Sequence, residues 1–136
     1  MRNENLNILI AEDDAGLASI VRFNLERAGF SATVAANGRV AWELAQRESF
    51  DIVITDHQMP EMNGQEFCQL LRSDERHAET PVIFLTGKKF EVDMTQMMED
   101  LRVSMIMAKP FSPRALIETI RSLSQRPIPT QEGICG

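Results

Sequence analysis

The feature that most constrains this chain is a fivefold alternation: a short apolar run, then a segment whose apolar residues recur at helical spacing. Asn7–Ala11 (NILIA) reads as a buried strand, and Ala15–Ala28 follows with Leu17, Ile20, Val21 and Leu25 on one helical face. Ser31–Ala36 (SATVAA) is a second strand; after the turn signal Asn37-Gly38, Val40, Ala41, Leu44 and Ala45 mark a second helix. Asp51–Thr55 (DIVIT) is the third strand, and Asn63 is placed to cap a helix carrying Phe67, Leu70 and Leu71. The polar stretch Arg72–Thr80 reads as a helix end plus loop. Pro81–Leu85 (PVIFL) is the fourth strand, followed by Phe90, Met94, Met97, Met98 and Leu101 at helical spacing. Ser104–Ala108 (SMIMA) is the fifth strand. Ser112-Pro113 then opens a helix with apolar face Leu116, Ile117, Ile120 and Leu123.

Strands apolar on both faces, each followed by a helix, argue for a parallel sheet covered on both sides. The expected fold is therefore α/β, a doubly wound sheet of five parallel strands with right-handed crossovers. In such sheets ligands bind beyond the carboxyl ends of the strands, where the strand order reverses. One domain over residues 1–125 accounts for the pattern. Residues 126–136, with two prolines and two glycines, read as a flexible tail or truncated linker.

Composition removes several function classes. The net charge is -6 with no basic run, whereas nucleic-acid binding rests on a basic face, so no direct nucleic-acid contact is expected. Apolar runs reach about four or five residues, far short of the roughly 20 that span a bilayer, so no membrane insertion is expected. The N-terminus lacks a signal-peptide core. Cys68 and Cys135 form no metal-ligand pair and read as free thiols of a reducing, cytoplasmic compartment.

The chemistry-bearing residues fall at strand ends. Strand one ends in Glu12-Asp13-Asp14, strand three in Asp56, strand four in Thr86-Gly87 and strand five in Lys109-Pro110. A parallel sheet brings all four sets to one edge. Like charges ~4 Å apart repel by about 4 kcal/mol at an effective dielectric near 20, so Glu12, Asp13 and Asp56 must protonate, spread or bind a cation. All-oxygen ligands at a half-open site favour a hard cation such as Mg²⁺. With Lys109 and the Thr86 hydroxyl, such a site can bind a phosphoryl group.

The segment DIVITDHQMPEMNG (Asp51 to Gly64) resembles the phosphoacceptor segment of response-regulator receiver domains of two-component signal transduction. ILIAEDD (Ile8 to Asp14), FLTG (Phe84 to Gly87) and AKPF (Ala108 to Phe111) are similar to the family's other signatures, in the same order. The likeness covers roughly residues 6 to 125. It implies the flavodoxin-like (βα)5 receiver fold with strand order 2-1-3-4-5. It implies Asp56 as the nucleophile that becomes an aspartyl phosphate. Asp13 becomes a direct Mg²⁺ ligand, Glu12 a ligand through water, and Gln58 a ligand through its backbone carbonyl. Thr86 donates to a phosphoryl oxygen, and Lys109 pairs with the acceptor carboxylate and then with the phosphoryl group. Gly87 leaves space beside Thr86, the Lys109–Pro110 bond is cis, and Gln58 and Lys88 tune the lifetime of the phosphoryl group. The implied donor is a phosphohistidine on a histidine kinase or phosphotransfer protein; the implied output is altered binding of a downstream protein through the fourth helix, fifth strand and fifth helix. The chain would be no enzyme beyond its own phosphorylation and dephosphorylation.

Departures from the family pattern are expected to matter for output. Ile106 stands where a movable aromatic residue is usual, and Arg102 where a glycine is common. The expected coupling is that Thr86 moves and repacks Ile106 and the fourth helix. Other residues receive plainer readings. Asp14 begins the first helix, where a carboxylate suits the dipole. His57 is a surface loop residue pointing away from Asp56, His77 is solvated, and Trp42 is half-exposed. Met94, Met97 and Met98 are core and flank of the fourth helix, or an adaptable partner surface.

Two alternatives stand beside the switch. An aspartyl-phosphate phosphatase would carry a D-x-D motif, but Gln58 occupies the second position and no cap insertion is evident. A degenerate receiver used only as a scaffold sits poorly with a complete site. The chain is either a stand-alone adaptor or phosphorelay receiver, or the excised receiver of a larger regulator or hybrid kinase.

Overall fold

In the computed structural model, residues 6–87 and 92–124 are described, with the side chains of residues 92–94 excepted. Strands β1 (Asn7–Ala11), β2 (Ser31–Ala35), β3 (Ile52–Asp56), β4 (Val82–Thr86) and β5 (Met105–Ala108) form one parallel sheet in the order β2-β1-β3-β4-β5. Helices α1 (Ala15–Arg27), α2 (Gly38–Arg47), α3 (Gly64–Ser73), α4 (Val92–Asp100) and α5 (Pro113–Ser124) follow the five strands in turn. A 3₁₀ turn, Glu75–His77, sits between α3 and β4. The expected doubly wound α/β architecture is the one observed. Lys88, Phe90 and the tail from residue 126, Cys135 included, lie outside the described residues.

Period-two alternation along the strands divides the core. Leu9, Ala11, Val53, Val82 and Phe84 pack toward Ala41 and Ala45 of α2, Phe67 and Leu71 of α3, and Met97 of α4. Ile8, Ile10, Ile52, Ile54, Ile83 and Leu85 pack toward Val21 and Leu25 of α1 and Leu116 and Ile120 of α5. Every residue of β3 and β4 is buried, which explains their continuous apolar runs. The order reverses at β1, which has β2 on one side and β3 on the other. The crevice beyond β1 and β3 is therefore the place for chemistry.

Polar caps start the helices where the sequence places them. Asp14 accepts from the Leu17 amide (3.1 Å), Asn37 from Val40 (2.9 Å) and Ser112 from Ala115 (3.1 Å). Asn63 and Glu66 form a reciprocal capping box, with bonds of 2.8 and 3.0 Å, at the start of α3. Helices α1 and α4 end in the same way. Phe30 N–H donates to Leu25 O and Gly29 N–H to Glu26 O; Val103 N–H donates to Met98 O and Arg102 N–H to Glu99 O. This double bond pattern needs a left-handed residue after the helix. In α1 it is Gly29 (φ 101°), but in α4 it is Arg102 (φ 54°). A side chain in that conformation costs about 1 kcal/mol relative to glycine.

Three expectations are corrected. Ile20 is 53% exposed and lies beside Phe23 on the outer side of α1, because Ala18, Val21 and Leu25 take the sheet-facing stripe. His77 is fully buried rather than solvated: Nε2 meets Ala45 O at 3.0 Å and Nδ1 meets Thr80 Oγ1 at 3.2 Å. The 3₁₀ turn folds it under α2, a long-range packing choice that a charged local sequence conceals. His57, expected at the surface, is half-buried with its ring 5.9 Å from that of Phe84.

Candidate functional site

β3 extends two residues beyond its apolar run and β4 one, so Asp56 and Thr86 are the last residues of their strands. His57 N–H still donates to Leu85 O (2.9 Å), which holds the end of β3 against β4. Asp56 is 7% exposed, and Glu12, just beyond β1, is 2% exposed. Asp13 is exposed beside them. One carboxylate oxygen from each of Glu12, Asp13 and Asp56 lies within 4.8 Å of the others. Lys109, beyond β5, reaches in: Nζ is 3.0 Å from Asp56 Oδ2 and 3.0 Å from Glu12 Oε1. Its backbone N–H donates to Thr86 O at 2.7 Å, tying the ends of β4 and β5 together. The bond from Lys109 to Pro110 is cis.

The start of α3 is pressed against the acidic residue. Gly64 N–H donates to His57 O at 2.9 Å, and a Cβ on Gly64 would stand 2.3 Å from Asp56 O. Only glycine admits that approach. Thr86 is buried at the same edge, and a Cβ at Gly87 meets nothing within 4 Å among the described residues. Gln58 is exposed two residues after Asp56. Lys88 lies outside the described residues.

Electrostatics at the site are unbalanced. Burial pushes the Glu12 carboxyl above its usual range; the Asp14 amide and Lys109 oppose that rise, and Asp56 adds to it. Burial works against the charge of Lys109 as well, yet the contacts with Asp56 and Glu12 hold it above its ordinary value. Glu12 Oε2 accepts from the Asp14 amide at 3.0 Å. Oε1 is buried and lies close to Nζ, but it receives no aligned hydrogen bond. A buried, under-satisfied carboxylate oxygen beside two further carboxylates suits a hard cation. The residues present therefore fit Mg²⁺.

Ile106 is half-buried and packs on the α2–α3–α4 side. It pairs in register with Phe84, while Thr86 pairs with Ala108. Thr86, Phe84 and Ile106 thus share one face of the sheet, which Met97 of α4 also covers. The Phe84 contact with His57 went unread in the sequence, since nothing local links the two residues.

The chain belongs to the response regulator receiver domain family, whose model matches residues 8–121. Members of this family are signalling domains of two-component systems. The chain is 36% identical to the sensory transduction protein RegX3 of Mycolicibacterium smegmatis over 120 residues, covering 88% of this chain and 51% of the relative. The chemotaxis protein CheY4 of Vibrio cholerae is similar in structure, with a TM-score of 0.81 and 30% identity over 86% of this chain and 97% of that one. The receiver domain of the sensor histidine kinase PA1611 from Pseudomonas aeruginosa, which holds a magnesium ion in its active-site cleft, shares the fold (TM-score 0.79, 24% identity, 89% and 99% covered). The chain spans about half the length of the curated relatives it matches. No helix among the described residues is long and apolar enough to cross a membrane.

Proposed function

We propose that Asp56 is the phosphoacceptor of a phosphorylation-dependent switch. The observation that carries this reading is the Lys109 ammonium lying 3.0 Å from both Asp56 Oδ2 and Glu12 Oε1, beside exposed Asp13. A carboxylate oxygen of Asp56 attacks the phosphorus of a phosphohistidine in line. The P–N bond breaks, and the imidazole leaves with the electron pair. Lys109 keeps the acceptor ionised and then faces the phosphoryl oxygens, while Thr86 donates its hydroxyl to one of them. Glu12, Asp13, Asp56 and the Gln58 carbonyl would hold Mg²⁺, which when bound offsets charge on the phosphoryl group. In the reset, water attacks phosphorus, the bond to Asp56 breaks, and orthophosphate leaves. Gln58 and Lys88 flank the water's approach and set its rate.

Output runs through α4, β5 and α5. Edge strand β5 supports this: Met105 is 40% exposed, and Ile106 and Met107 are half-buried. Thr86 moving toward the phosphoryl group opens space above Phe84 and Ile106, and α4 repacks through Met97. The donor is a histidine kinase or histidine phosphotransfer protein, and the compartment is the cytoplasm. A phosphatase lacks support here, because Gln58 supplies no carboxyl acid.

Incubation with a small-molecule phosphoramidate and Mg²⁺ tests the assignment by intact mass. One phosphoryl group is expected on wild type and none on Asp56→Asn. Equal labelling of the two, or labelling indifferent to chelation of the metal, would remove Asp56 from the role.

A further inference from the structure

At the opposite end of the sheet from Asp56, just before β4 and β5, lies a cleft of about 400 Å³ lined by Arg72, Glu79, Thr80, Pro81, Arg102 and Ser104. Two arginines and one glutamate are among the residues that line it. Arg72 is held in place by carbonyls: Nε donates to Leu101 O (2.7 Å), Nη1 to His77 O (2.7 Å) and Ala78 O (3.2 Å), and Nη2 to Arg102 O (3.2 Å). Arg102 Nη2 donates to Ala78 O at 2.9 Å, which leaves most of its five donors for another ligand. Among the described residues, neither arginine is within ion-pair distance of a carboxylate. Burial lowers Arg72 from its ordinary value; Cys68 and Glu79 oppose that fall, and the charge of Arg102 adds to it. An anion between the two would relieve the repulsion.

The backbone supplies a second, independent argument. Arg102 occupies the left-handed position after α4, where the same helix ending in α1 carries Gly29. Glycine would fit there with less strain, so an arginine in that conformation points to a task for its side chain.

We propose that this cleft binds a small oxyanion, a phosphate or a carboxylate group, with the Arg102 guanidinium as the principal grip. Arg72 is a pre-oriented second charge, and Ser104 and Thr80 complete the lining. The two sources share one chemistry, oxygens that accept from a guanidinium fork.

Backbone-amide NMR of the full chain, without Mg²⁺, tests this with sodium phosphate and sodium acetate against sodium chloride at equal ionic strength. Saturable shifts at residues 79–81 and 101–104 are expected with phosphate, acetate or both, and whichever saturates identifies the source. Arg102→Gly suits the backbone and should fold; it should weaken binding about tenfold, the loss of roughly one charge-assisted hydrogen bond. Arg102→Lys, which keeps charge without the fork, should fall between. Shifts that fail to saturate, that chloride reproduces, or that persist unchanged in Arg102→Gly would overturn the proposal.

Discussion

Lys109 neutralises two carboxylates at once, and this gives its substitution two opposite effects. In Lys109→Met, Glu12 and Asp56 lose the cation 3.0 Å away and repel one another with nothing between them. A divalent ion then gains what the ammonium supplied. Calorimetric titration should show Mg²⁺ binding at least several-fold more tightly in Lys109→Met, while phosphoryl uptake falls by tenfold or more because charge on the phosphoryl oxygens goes unmatched. Unchanged Mg²⁺ affinity would mean that Lys109 and the metal act on separate groups. These side chains were legible in the sequence because each ends a strand, and a parallel sheet leaves such residues no other edge to occupy. His77 was not legible. Its ring is buried by a hydrogen bond to Ala45, far away along the chain, and its neighbours Arg76 and Glu79 suggest solvent.

At the scale of an element, α3 begins where Asp56 ends. In Gly64→Ala the new methyl would meet Asp56 O at 2.3 Å, so either β3 or the start of α3 must shift. A loss of about 1–3 kcal/mol in urea unfolding is expected, together with slower phosphorylation of Asp56. Asn63→Ala removes the capping box from the same helix without touching Asp56, at a cost of about 1 kcal/mol. Its phosphorylation rate should match wild type; a rate as slow as that of Gly64→Ala would show that helix stability, and not the close approach, governs the site. The cap at Asn63 was readable from residue type, whereas the reason for Gly64 was not. An N-G dipeptide announces a turn, and only the packing of α3 on β3 shows which atom a side chain would strike. The fourth helix behaves alike: its apolar spacing was clear, but that it ends in a left-handed arginine gripped by Arg72 depends on where α3 lies.

For the molecule as a whole, stability should fall on the alkaline side. Cys68 of α3 is fully buried in the core on the α2–α3–α4 side, and burial pushes its thiol from 9.0 to about 11. The folded value exceeds the unfolded one, so the contribution is complete below about pH 9 and is lost as pH rises to about 11, by roughly 3 kcal/mol at most. Lys109, also raised, loses its contribution in the same direction at high pH. Urea unfolding at pH 8 and pH 10.5 should show a smaller decline in Cys68→Ala than in wild type; parallel declines would acquit the thiol. The sequence alone determined the five strand–helix units, the burial of β3 and β4 and the collection of Glu12, Asp13, Asp56, Thr86 and Lys109 at one edge. It could do so because hydrophobic period and strand polarity are local, and a parallel sheet converts them directly into position. Only the tertiary structure decided that Lys109 bridges two carboxylates, that His57 lies on Phe84 and that Ile20 faces outward while His77 faces in. It alone brought Arg72 and Arg102 to one cleft. Those outcomes depend on how helices settle across the sheet, a competition among distant side chains that spacing along the chain does not encode.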